Sequence, residues 1–148
     1  MQTFRDSEDV RDGAIPPRVH IEMARASDEG WVALEGFPDG LEVQLLADDL
    51  DERRKRGGRS RLVRFAPGAY TRQTLVHDWW EEVFVLSGDL VPHDGTAEGE
   101  NDASAPGGND YRYSCRPPGT PHGPFRSHRG CVLFLSAAFS ARPRLNCA

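Results

Sequence analysis

Only one lysine, Lys55, stands among seventeen arginines in the 148-residue chain. That imbalance reflects the base composition of a genome more than a function. Cysteine is scarce as well: Cys115, Cys131 and Cys147 are odd in number, and no two sit at the spacing of a metal-binding hairpin. This argues against a disulfide framework and points to reduced thiols in a cytoplasmic protein, with Cys115 expected to be buried. No basic start leads into an apolar run, so no signal peptide is expected. The longest apolar stretches, such as Cys131–Leu135, are far too short to span a bilayer, so no membrane is expected as a partner. There is no basic excess either: the formal charge is −5, which does not suggest nucleic acid. The acids are concentrated at residues 1–12 and 94–110, and the second segment carries Asp94, Glu98, Glu100, Asp102 and Asp110 with no base. Finally, no segment shows a persuasive helical period.

What is present reads as β-structure in one domain, long enough to bury a real core. Residues 1–28 are mostly polar and are expected to form a tail or an arm, one option being a strand swapped onto a partner subunit. The domain proper is expected over 29–140, with 94–110 a flexible loop inside a hairpin, and 141–148 a C-terminal tail. Trp31–Leu34, Leu41–Leu46, Arg61–Phe65, Glu82–Leu86, Tyr111–Cys115 and Gly130–Leu135 read as strands, and Arg72–Val76 as a further candidate. Leu90-Val91 runs into another. Gly36-Phe37-Pro38-Asp39-Gly40 and Pro67-Gly68 carry turn chemistry. Many short strands separated by Gly/Pro turns indicate an all-β sandwich or barrel.

Seven basic residues lie between Arg53 and Arg64, beside Asp48, Asp49, Asp51 and Glu52. An anion-binding patch and a solvated hairpin both fit, and the mixed charge favours the hairpin.

The chemistry is concentrated in two segments. In the first, His77 and Glu81 stand four residues apart, and the apolar run after Glu81 ends at Gly88. In the second, Pro117-Pro118-Gly119-Thr120-Pro121-His122 is a rigid turn that delivers a lone histidine. Two histidines and a carboxylate are a common ligand set for a divalent transition metal. In a regular strand, positions 77, 81, 83 and 85 share a face and Glu82 points the other way. Taken singly, each of these side chains is more often a surface or core residue than a ligand. Their joint placement is what suggests a site.

Both segments resemble the two motifs of the cupins. Gly68, His77, Glu81 and Gly88 match the first motif, and Pro117-Pro118-Gly119-Thr120-Pro121-His122 matches the second. Arg61–Gly68 and Gly130–Phe134 are similar to the flanking strands of RmlC-like, acetylacetone-dioxygenase-like and ChrR-type cupins. The resemblance covers roughly residues 29–140. It implies a cupin jelly-roll β-barrel, the double-stranded β-helix, and a metal (Fe, Zn, Mn or Ni) held by His77, Glu81 and His122. One departure is plain: Leu75 stands where the first motif has its first histidine, which removes a ligand and opens a coordination position.

Around the site, Gln73 shares the parity of Leu75 and could hold a metal-bound water. Trp79 and Trp80 are expected at the barrel mouth or a dimer contact. Tyr111, Tyr113 and Arg116 lie on the strand leading to His122 and are candidates to orient a substrate, although ordinary strand packing explains each of them. The resemblance implies an enzyme acting on a small organic molecule, foremost a dioxygenase-like cleavage of a dicarbonyl or hydroxy-ketone. A non-redox isomerase, epimerase or decarboxylase is the alternative, as is a ChrR-like zinc-binding sensor, for which residues 1–28 are too few and too polar to supply a sigma-factor-binding region. A homodimer is implied too, helped by sheet edges that need cover.

Overall fold

A computed structural model describes residues 20–23, 28–96 and 111–139. The expected C-terminal tail, Cys147, and most of the N-terminal arm and of the 94–110 loop lie outside the described residues.

Eight strands follow in chain order: β1 (Val32–Ala33), β2 (Leu41–Asp48), β3 (Gly58–Phe65), β4 (Trp80–Gly88), β5 (Val91–Pro92), β6 (Tyr113–Arg116), β7 (Phe125–Arg126) and β8 (Cys131–Ala138). Six form one antiparallel sheet in the order β1-β2-β3-β8-β4-β6, and β5 and β7 form a second, two-stranded sheet. β8, the last strand in sequence, lies between β3 and β4. That insertion gives the jelly roll its non-sequential strand order, and it brings residues far apart in the chain into the same rows.

Those rows place the site. Arg59, Ala137 and Glu81 lie side by side on β3, β8 and β4, and Arg116 of β6 pairs with Glu81. The next inward row is Arg61, Leu135 and Val83, and the one below it Val63, Leu133 and Val85. Alternation keeps each row on one face. Val63, Val83, Val85 and Leu133 are buried, and with Leu41, Phe65, Ala69 and Cys131 they form the core. Each such side chain contributes on the order of 1.5–3 kcal/mol when fully buried. The polar top row therefore rests on an apolar floor.

The second sheet continues as a broken ladder between residues 68–75 and 122–127. Its bonds run from Gly68 N–H to Ser127, Thr71 N–H to Phe125, Leu75 N–H to His122 at 2.8 Å, and His122 N–H back to Leu75 at 3.0 Å. Arg72–Val76 is consequently not a strand. Leu75 makes only an isolated bridge with His122. Gly123 has φ +75°, Pro124 has no N–H to donate, and the Thr71 hydroxyl takes the Phe125 N–H, so regular pairing stops there.

Gly88 and Gly119 are among the glycines that the turns require. Gly88 has φ +85°, and a Cβ there would lie 1.9 Å from the Gly130 carbonyl oxygen. Gly119, at φ +79°, is the third residue of a turn closed by the Thr120 N–H on the Pro117 carbonyl. Pro at the second position and Gly at the third is the signature of a type II turn.

Candidate metal centre

His77, Glu81 and His122 come together from two segments of the chain, with ligand atoms all within 4.8 Å of one another. The Nε2 of His77 is 3.4 Å from Glu81 Oε2, and the Nε2 of His122 is 3.3 Å from Glu81 Oε1. Two ligands about 2.1 Å from one ion in tetrahedral geometry stand about 3.4 Å apart. The two histidine–carboxylate spacings are close to that value, each to a different carboxylate oxygen.

Each ligand is held by a different local cause. Glu81 is placed by strand alternation and is 4 % exposed. Its Oε1 accepts a hydrogen bond of 2.8 Å from Arg116 Nη1. His122 follows the type II turn, and its Nδ1 lies 3.1 Å from the Thr120 carbonyl oxygen. A carbonyl can only accept, so Nδ1 carries the proton and Nε2 keeps a lone pair directed at Glu81. His77 is not placed by parity, because β4 begins only at Trp80. Two other contacts fix it. Its carbonyl accepts the Gly119 N–H at 2.7 Å, and its ring stacks on Trp79 with centroids 4.6 Å apart and planes 9° from parallel. The second motif's turn therefore grips the first motif's histidine.

Burial lowers the pKa of His77, and His122, Arg61 and Arg116 push the same way against the opposing pull of Glu81. The imidazole is kept neutral, the form that ligates a metal.

The three ligands line a cavity of about 350 Å³. Gln73, Leu75, Trp79 and Arg116 line it too. Leu75 faces the cavity from the residue paired with His122, the position where a fourth ligand would stand. Trp79 forms part of the site wall, and its buried indole Nε1 has no hydrogen-bond partner. Much of the remaining wall is apolar, with Leu34, Val63, Phe65, Val83, Phe125 and Leu133 among it.

Three expectations need correction. Tyr111 and Tyr113 do not line the cavity: they are 77 % and 57 % exposed, and the Tyr113 hydroxyl donates to Glu82 Oε1 at 2.7 Å on the outer face of the sheet. Even parity with Cys115 directs Tyr113 outward, opposite to Arg116. For the same reason Cys115 is exposed, not buried. The segment Arg53–Arg64 is only partly a solvated hairpin. Arg54 pairs with Asp51 and Lys55 with Asp78 at the surface, but Arg59 and Arg61 line the cavity. Shared parity with Val63 and Phe65 on β3 was the available signal for these two arginines.

The fold is that of the cupins, an all-β jelly roll. No protein-family model matches the sequence, and no curated protein matches it. Solved structures do. An acetylacetone dioxygenase from Acinetobacter johnsonii superposes with a TM-score of 0.59 at 16% identity, covering 84% of this chain and 78% of that one. An RmlC-like cupin from Shewanella frigidimarina gives 0.55 at 16% identity, over 82% and 95% of the two chains. A polyketide cyclase from Streptomyces resistomycificus gives 0.52 at 20% identity, over 82% and 83%. Among the described residues, no helix is long and apolar enough to cross a membrane.

Proposed function

We propose that this protein is a metal-dependent enzyme that binds one divalent transition ion (Fe, Mn, Ni or Zn) on His77, Glu81 and His122 and acts on a small enolisable carbonyl compound. The observation that carries the reading is the convergence of the three ligand atoms within 4.8 Å at the wall of a largely apolar cavity. A cavity of about 350 Å³ is near the small end of ligand pockets and suits a compact molecule. An ion held there would act as a Lewis acid on a carbonyl oxygen and keep a position open for it.

The chain's own residues do the rest. Glu81, fixed by Arg116, lends negative charge to the site. His77 and His122 present their Nε2 atoms to it. The apolar wall excludes water, which strengthens every charge interaction inside. Likeness to an acetylacetone dioxygenase makes oxidative cleavage of a 1,3-dicarbonyl or hydroxy-ketone the first reaction to test. Non-redox conversion of the same class, as in an isomerase or decarboxylase, is the second reading. It is supported by Arg116, which lines the cavity beside Glu81 and can stabilise an enolate with no redox step. A homodimer is part of the proposal, since β1 and β6 are the edges of the larger sheet.

The test is to purify the protein, measure bound metal by elemental analysis, load Fe(II), and follow oxygen uptake with acetylacetone. Uptake that requires iron supports cleavage. Metal binding without uptake, but with turnover of an enolisable ketone on zinc, supports the second reading. Failure to bind any of the four metals after loading would overturn both. Size-exclusion chromatography checks the dimer, and a clean monomer counts against it.

A further inference from the structure

Three arginines line the cavity, and they differ in one respect. Arg59 has a carboxylate of its own, Asp48 Oδ2 at 2.5 Å from its Nε, and that aspartate is 3 % exposed. Arg116 has Glu81 at 2.8 Å. For Arg61, among the described residues, no carboxylate stands within ion-pairing distance and no hydrogen bond is made. Yet Arg61 is half-buried, and burial presses its guanidinium toward the neutral form. A cation drawn partly out of water without a partner is costly, and such groups are normally paired.

Its position in the sheet gives a reason for it. Arg61 lies one row inward from Glu81, with β8 between their strands, so it stands about 10 Å across the sheet from β4. Its charge is felt at both Glu81 and His77. Around it the wall is apolar: Leu135 beside it in the row, with Val63 and Leu133 below. The cavity thus holds the His77–Glu81–His122 triad and, one row inward, a single guanidinium with no carboxylate of its own.

We propose that Arg61 is a specificity-determining residue, the receptor for a carboxylate on the substrate, so that the preferred substrate is an oxo acid whose carbonyl end reaches the ligand triad. The proposal rests on the metal-dependent reading above and sharpens it to an anionic substrate. A carboxylate would complete the one missing ion pair, by paired donors from the planar guanidinium. Binding of such a group at a water-poor site exceeds that of a neutral analogue by at least tenfold.

The experiment uses the full chain loaded with zinc, which is redox-silent, and two probes on one skeleton: acetoacetate and its methyl ester. Binding is measured by calorimetry for the native protein, Arg61→Met and Arg61→Lys. The expected result is at least a tenfold preference for acetoacetate in the native protein, lost in Arg61→Met and partly kept in Arg61→Lys. Zinc affinity and ester binding should stay unchanged in all three. Should Arg61→Met fail to fold, the Arg61→Lys protein still decides, since Lys keeps the charge but not the paired donors and must show a reduced preference. Equal affinity for the two probes in the native protein, binding of neither, or a preference that survives Arg61→Met would each overturn the assignment. Failure to take up zinc would instead overturn the metal reading on which it rests.

Discussion

Glu81 and Glu82 are adjacent in sequence and should respond oppositely to substitution. Glu81 is 4 % exposed and engaged by Arg116, whose side chain is itself only 15 % exposed. Glu81→Ala would leave that guanidinium buried without its partner, beside Arg61 and Arg59. Breaking a buried pair from one side costs about 3–5 kcal/mol. At a urea dependence of about 2 kcal/mol/M, the midpoint of the metal-free protein should fall by roughly 1.5–2.5 M. Glu81→Gln keeps an acceptor for Arg116 but not the charge, and should cost less, about 1.5–3 kcal/mol. Zinc affinity, read by competition with a chromophoric chelator, should drop more than about a hundredfold in both variants, beyond the 10–100-fold typical of residues that only support a ligand. Glu82 bonds with Tyr113 on the outer face. Glu82→Ala should cost less than about 1.5 kcal/mol and leave zinc affinity unchanged. Equal losses of zinc affinity from Glu81→Ala and Glu82→Ala would refute the facing of β4 and the site built on it.

Leu75→His places an imidazole at the cavity-lining position bridged to His122; zinc affinity should rise at least tenfold by the same competition assay, and no change would mean that this position does not reach the ion. Gly88→Ala sets a methyl against the Gly130 carbonyl at a positive φ, so it should cost more than about 3 kcal/mol in urea denaturation, and a loss under about 1 kcal/mol would contradict the close approach of the chains. Burial raises the Cys131 thiol to about 11 from an ordinary value of 9.0, with Asp89 adding to the effect. The unfolded chain then loses this proton first, so the contribution is complete below about pH 9 and is lost as pH rises toward 11. It amounts to roughly 2–3 kcal/mol at most. Denaturation of native protein and Cys131→Ala at pH 8 and pH 11 checks it: the native protein should lose more stability between the two than the variant, and parallel losses would show the thiol is not responsible.

The strands that form the larger sheet are legible in the order of residues, because they are short, alternating and punctuated by glycine and proline, and alternation is local. It is why Val83 and Val85 can be assigned inward and Glu82 outward from order alone; β2 departs from it, with Gln44 buried and Leu45 exposed. Two glycines at positive φ, Gly88 and Gly119, likewise follow from turn chemistry that the residues themselves carry. The expected strand at Arg72–Val76 fails because its partner segment holds Gly123 and Pro124, which no reading of 72–76 by itself reveals.

What order along the chain determined is therefore the fold class, the two motifs and the three side chains able to hold a metal, because side-chain parity and backbone turns depend on neighbours in sequence. Tertiary structure alone decided which groups share the cavity. His77 precedes its strand and is fixed by the Gly119 turn and Trp79, contacts that span some forty residues in one case. The facing of Arg61 follows from its parity with Val63, but only β8, inserted between β3 and β4, sets it in the row beneath Glu81. Pairing between distant strands creates those rows, and only they show that one of the three cavity arginines lacks a carboxylate of its own.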